Sequence, residues 1–163
     1  MSQKKTAYLG LFASVAIIFG YVESLIPFFA GIPGMKLGLA NLAVLFILEK
    51  YTWKEAAIVS LVRILIIGFL FGSGSSIMYS LAGAALSLTV MVLLKKFTSF
   101  SCIGISVAGG VSHNIGQLLV AVPATHTIGL LYYYAPALMI SGIITGLLIG
   151  ILVREVVKRI HIN

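Results

Sequence analysis

A set of polar side chains in an otherwise apolar chain has the types and spacing to hold a small molecule: Glu23, Lys36, Asn41, Arg63, Tyr79, His113, Asn114 and Gln117. His113 and Gln117 are four residues apart and share a helical face, and Asn114 lies three before Gln117. Together they offer one ligand both hydrogen-bond donors and acceptors. Arg63 falls in the apolar run SLVRILIIGF, and its planar fork suits an anionic group. A charge near the centre of a bilayer costs about 2.5–3.5 kcal/mol on insertion scales, so Arg63 must face the protein interior and find a partner. Glu23 is the economical one, because Glu49, Glu55 and Glu155 lie in a polar turn or the tail. That pair either locks two helices together or leaves the guanidinium partly available to a ligand. His113 is either a hydrogen-bonded packing residue or a ligand or gating residue. Lys36 is an interfacial anchor or a cation for the same ligand, in a loop whose glycines allow close backbone approach. Tyr79 lines the cavity or packs.

The same inventory excludes several chemistries. The chain has no aspartate, so it lacks the clusters that hold magnesium on a diphosphate during prenyl transfer. There is no P-loop, no serine or cysteine nucleophile beside a recognisable base, and no acidic ring or filter-like repeat. No second histidine or cysteine has metal-ligand spacing, and the single Cys102 reads as a small apolar residue that cannot form an intrachain disulfide. The expectation is a binding protein, not an enzyme, with neither catalytic residue, metal nor cofactor.

The elements that must position these groups are membrane spans. Of 163 residues, 60% are hydrophobic and 9% charged, with mean hydropathy +1.14. Soluble domains carry about 25% charged residues. The first span runs from about Thr6 to Phe28, too long and without a cleavage site for a signal peptide. The bend Phe29 to Met35 follows. The run Leu37 to Leu48 is short and must recruit Pro33 to Lys36, or Glu49 to Tyr51, or remain a half-crossing. Glu49 to Glu55 is a polar turn with interfacial Tyr51 and Trp53. Further spans are Ala56 to Phe71, Ile77 to Leu94, Cys102 to Val122 and Ile128 to Val153, with GSGSS (Gly72 to Ser76) as a flexible turn and Pro123 as a stop. His126 belongs to an outer turn. Tyr132, Tyr133 and Tyr134 form an aromatic belt or a lid.

Six spans put Lys4, Lys5, Lys50, Lys54, Lys95, Lys96, Arg154, Lys158 and Arg159 on one side and only Lys36 on the other. That bias makes both termini cytoplasmic. It also explains the net charge of +7 without nucleic acid. The polar set then falls in the outer half of the membrane or near its midplane. Small residues recur at four-residue spacing: Gly10 and Ser14, Ala16 and Gly20, and Gly142, Gly146 and Gly150. Such spacing lets backbones approach, either within the bundle or against a partner membrane protein.

The segments ESLIP (Glu23 to Pro27), GMKLGLAN (Gly34 to Asn41), SLVRI (Ser60 to Ile64), YSLAGA (Tyr79 to Ala84) and SHNIGQLLVA (Ser112 to Ala121) resemble one bacterial family over nearly the whole chain. It is the Gx transporter family, also labelled heptaprenyl diphosphate synthase component I. That family resembles the S-components of energy-coupling factor (ECF) transporters. The resemblance implies an all-α, six-helix membrane bundle in the bacterial cytoplasmic membrane, with an outward site closed by the loop between its first two helices. It also implies partnership with a transmembrane coupling protein and two ATPases. S-components dock through an alanine-xxx-alanine pattern on helix one; here Gly10 and Ser14 stand nearest to it. The synthase label conflicts with the missing aspartates.

The expected architecture is therefore one six-helix transmembrane domain over residues 1–163 that binds a small polar or anionic substrate, with access governed by the loop Phe29 to Lys36. An isoprenoid, quinone or vitamin precursor or an amino-acid derivative would fit. The alternatives are a membrane subunit of a prenyl diphosphate synthase and a scaffold for an extracytoplasmic redox or quinone pathway.

Overall fold

A computed structural model describes residues 3–25, 39, 41–126, 129, 132 and 134–159. The described elements are helices: α1 (Gln3–Leu25), α2 (Asn41–Lys50), α3 (Trp53–Phe71), α4 (Gly74–Phe97), α5 (Cys102–Thr125) and α6 (Ala135–Arg159). Four of them, α1, α4, α5 and α6, are long and apolar enough to cross a membrane. The 19-residue α3 is nearly as long but carries Lys54, Glu55 and Arg63.

The helix ends follow local chemistry more closely than the hydrophobic runs do. Thr52 and Glu55 form a reciprocal capping box, so α3 starts at Trp53 and not at Ala56. Ser73 caps α4 by accepting from the Ser76 amide. The connection expected over Gly72 to Ser76 thus shrinks to Gly72 and Ser73, and α4 continues past Leu94 to Phe97. Pro123 does not stop α5, which continues to Thr125 and is capped by His126 with φ 52°. One missing amide near a helix end is tolerated when the chain is about to leave the helix anyway. The last helix is shifted towards the C-terminus relative to Ile128 to Val153: it opens with Pro136 in its first turn, a favoured place for proline, and includes Arg154 to Arg159. The bend Phe29 to Met35, the loop to Lys36 and Tyr133 lie outside the described residues.

The short run before Glu49 becomes α2, which extends over Glu49 and Lys50 at its end. Ten residues rise about 15 Å, half of a hydrocarbon core of about 30 Å. Ala43 to Leu48 are all buried, as expected of a helix apolar on every side. The helix lies against α1, α3, α5 and α6, and Phe46 stacks on Phe12 of α1 with ring centroids 4.1 Å apart.

Around this central helix, α1 packs on α3, α3 on α4, α4 on α5 and α5 on α6. Lys5 pairs with Glu55 at one end, while Gly20 meets Ile67 towards the other. Helices α1 and α3 therefore run in the same direction, and the chain must return between them along α2. The first end gathers Lys5, Glu49, Glu55 and Lys95, the last donating to Leu48 O at 2.6 Å and pairing with Glu49 at 3.1 Å.

The stripe Gly142, Gly146 and Gly150 is consumed within the bundle. A Cβ on Gly142 would lie 2.9 Å from Gly110 O, one on Gly146 2.6 Å from Val107 Cα, and one on Gly150 2.7 Å from Ile103 Cα. Ala16 and Gly20 are also buried. Gly10 and Ser14 differ: both are exposed, and a Cβ on Gly10 would meet nothing within 4 Å.

Candidate functional site

The polar set separates into groups that touch and groups that do not. His113 and Gln117 touch: Gln117 Nε2 lies 3.0 Å from His113 Nε2. Both are buried, Gln117 completely. They reach the interior because α4 presents Gly83 to them, where a Cβ would come within 2.9 Å of His113 Cε1 and 3.0 Å of Gln117 Cγ. Gly116 on α5 supports the same approach, its virtual Cβ 2.6 Å from Ala82 O. Tyr79, buried and one turn from Gly83, shares its face of α4.

Asn114 points elsewhere. Its Nδ2 donates to Leu138 O of α6 at 2.6 Å. It ties α5 to α6 with an amide that the sequence grouped with its neighbours.

Arg63 is 4% exposed, as is Glu23. Its aliphatic stem lies where Gly20 leaves room, with Cδ 3.7 Å from the position of a Gly20 Cβ. Glu23 acts on Arg63 electrostatically, yet among the described residues no ion pair within 4.0 Å joins them. Glu23 Oε1 instead accepts from the Leu39 amide at 3.3 Å. The expected direct pair is thus replaced by a longer-range one. Arg63 Nε and Nη2 are buried without a hydrogen-bond partner among the described residues, and so is Gln117 Oε1. An unanswered buried polar atom costs about 1–3 kcal/mol, and more when charged.

Asn41 opens α2 and is half-buried. It faces an enclosed gap of about 10 Å³ bounded also by Ser87, Ser106, Gly109 and Thr145, room for about one water. Lys36 lies outside the described residues. Tyr132 is 75% exposed, and Tyr134 is half-buried.

Some functional candidates were missed in the sequence. Ser76, Ser80, Gly83 and Ser87 form one buried face of α4, at spacings of four, three and four. That helical period in small polar residues was the available signal. Ser87 donates to Gly109 O of α5 at 2.8 Å, so part of the face is structural.

A family model described as "Heptaprenyl diphosphate synthase component I" matches residues 12–156. No curated protein and no solved structure matches the chain.

Proposed function

The chain belongs to the heptaprenyl diphosphate synthase component I family, and on that premise we propose that it is the membrane substrate-binding subunit of an ECF-type uptake transporter. Its cargo would be a small polar or anionic molecule, such as an isoprenoid, quinone or vitamin precursor. The observation that carries this reading is the burial of Arg63 and Gln117 with polar atoms that no described residue answers. A bundle needing only stability would satisfy or omit such groups. Arg63 and Lys36 would attract the cargo, and Tyr79, His113, Gln117 and Asn41 would line or close the site. Asn114 would position the α5 face. The reading includes six crossings of a bacterial cytoplasmic membrane with both termini inside. The parallel course of α1 and α3 and the cations gathered at one end support it. The exposed Gly10 and Ser14 offer a face of α1 on which a coupling protein could dock, with ATPases beyond it as the energy source.

A second reading is favoured by the family's description: a membrane subunit that assists a prenyl diphosphate synthase and contributes no catalytic group. Native mass spectrometry of the protein purified gently from its own membranes separates the two. A bound small molecule, or copurifying coupling and ATPase subunits, is the expected result. A copurifying soluble prenyltransferase subunit would overturn the transport reading.

A further inference from the structure

The two unanswered donors of Arg63 are a matched pair. Nε and Nη2 lie on the same edge of the guanidinium and direct their N–H bonds in parallel. Two oxygens of one carboxylate or phosphate accept such an edge side by side. Both atoms are buried without a partner among the described residues, on a side chain 4% exposed.

Gln117 supplies the opposite polarity. Its amide nitrogen can only donate, so the 3.0 Å contact makes His113 Nε2 the acceptor. The other end of the amide, Oε1, is then a buried acceptor unanswered among the described residues. Register places the two groups at one depth. Gly68 of α3 packs on Ile77 of α4, and Ile64 and Leu81 line the same groove between these helices. Arg63 is therefore level with Ser80 to Gly83, and Gly83 abuts His113 and Gln117.

Charge narrows the ligand further. Glu23 is buried and acts on Arg63, so its carboxylate offsets part of the guanidinium's charge before anything binds. A ligand's negative charge is then compensated only in part in a low-dielectric interior, a cost that rises with every further charge and is least for a single one.

We infer that the cargo is a monoanion: its carboxylate takes the Nε–Nη2 edge of Arg63 side-on, and an N–H or O–H elsewhere on it donates to Gln117 Oε1. The inference rests on the substrate-binding reading above and gives it a chemical class. An ionised prenyl diphosphate meets neither condition, having several charges and no donor.

The test is thermal-shift and equilibrium binding on the full-length protein in detergent. The probes are a library of small carboxylic acids with and without a second donor, including the matched pair para-hydroxybenzoate and para-methoxybenzoate. Para-hydroxybenzamide supplies a donor without the anion, and isopentenyl and farnesyl diphosphate supply polyanions. Acids with a donor should bind about tenfold or more tightly than their donor-free counterparts. Arg63→Lys, which keeps the charge and loses the fork, should weaken them about tenfold or more. Gln117→Met should abolish the difference within matched pairs, and it carries the test if Arg63→Lys fails to fold. Equal or tighter binding of diphosphates or of the benzamide would overturn the inference and leave the binding reading intact. So would unchanged affinity in both variants. Binding of none of these classes would overturn the substrate-binding reading itself.

Discussion

Gln117 Nε2 lies 3.0 Å from Nε2 of His113, one turn earlier on α5, and the pair is held against α4 by the absence of a side chain at Gly83. The contact spans two helices in effect, because α4 fixes where both side chains can go. Hydrogen-bonding groups thereby reach the centre of the bundle in a fixed orientation, which a binding site requires.

Gly83→Ala tests that dependence. The added Cβ would sit 2.9 Å from both His113 Cε1 and the His113 carbonyl oxygen. The carbonyl belongs to the backbone, so α4 and α5 must separate. Overpacking of this kind costs about 1–3 kcal/mol. Thermal unfolding followed by circular dichroism in detergent should show a lowered midpoint, with helix content unchanged before the transition. Ligand affinity should fall as well, because His113 and Gln117 move together.

Glycines on the two small-residue stripes should respond in opposite ways. Gly146→Leu would drive a side chain into Val107 Cα and Ser106 O, and the protein should lose its α5–α6 packing and fail to accumulate as a monodisperse species. At Gly10 a Cβ meets nothing within 4 Å, so Gly10→Leu should leave the unfolding free energy within about 0.5 kcal/mol of the parent, as for surface changes elsewhere. If the α1 face docks a partner, Gly10→Leu should instead reduce recovery of coupling and ATPase subunits in affinity purification. Size-exclusion profiles and subunit ratios read out the two effects separately.

These contrasts mark where sequence reasoning succeeds. Apolar runs are properties of single segments, and the helices follow them. The identity of a helix's neighbour is not such a property. Nothing near Asn114 reveals that its donor goes to Leu138 O, 24 residues later. Nor does Gly142 reveal Gly110 as its counterpart. Helix ends shifted because a capping box at Thr52 and Glu55 outweighs hydrophobicity in setting the first turn. The Glu23–Arg63 pair was inferred by elimination of other carboxylates. Elimination identified the charge that acts on Arg63 but could not fix the distance.

At the cation-rich end, the Lys5 ammonium and then the Thr52 hydroxyl hydrogen-bond Glu55 and hold its carboxyl at about 2, against an ordinary 4.5. A carboxylate with a lowered folded-state pKa stabilises the fold when ionised. Its contribution is complete above about 4.5 and is lost as pH falls through about 2. Melting midpoints should therefore decline across that acidic window. Glu55→Gln keeps a residue that serves the capping box, so it should lower stability at neutral pH only by the lost Lys5 ion pair, about 0.2–1 kcal/mol, and should flatten the acidic decline. An equally steep decline in Glu55→Gln would assign the acid sensitivity to another group.

Asn114 and Gln117 look alike in sequence and should separate in experiment. Asn114 donates to Leu138 O at 2.6 Å across the α5–α6 contact, where Gly110 and Gly142 bring the backbones together. Replacing it with alanine removes that bond and opens a small void, for a cost of about 1–3 kcal/mol. The helices can still associate through their glycines, so binding should survive at temperatures below the new midpoint. Gln117 holds His113 with one end of its amide and leaves Oε1 buried without a partner among the described residues. Gln117→Met keeps the volume but removes both the unanswered acceptor and the donor to His113. Each variant loses one buried hydrogen bond, so the two should cost similar stability, while Gln117→Met should weaken ligand binding more. Melting midpoints and binding isotherms on the same two preparations provide the comparison. The reverse ranking would move the ligand contact from the α4-facing side of α5 to its α6-facing side.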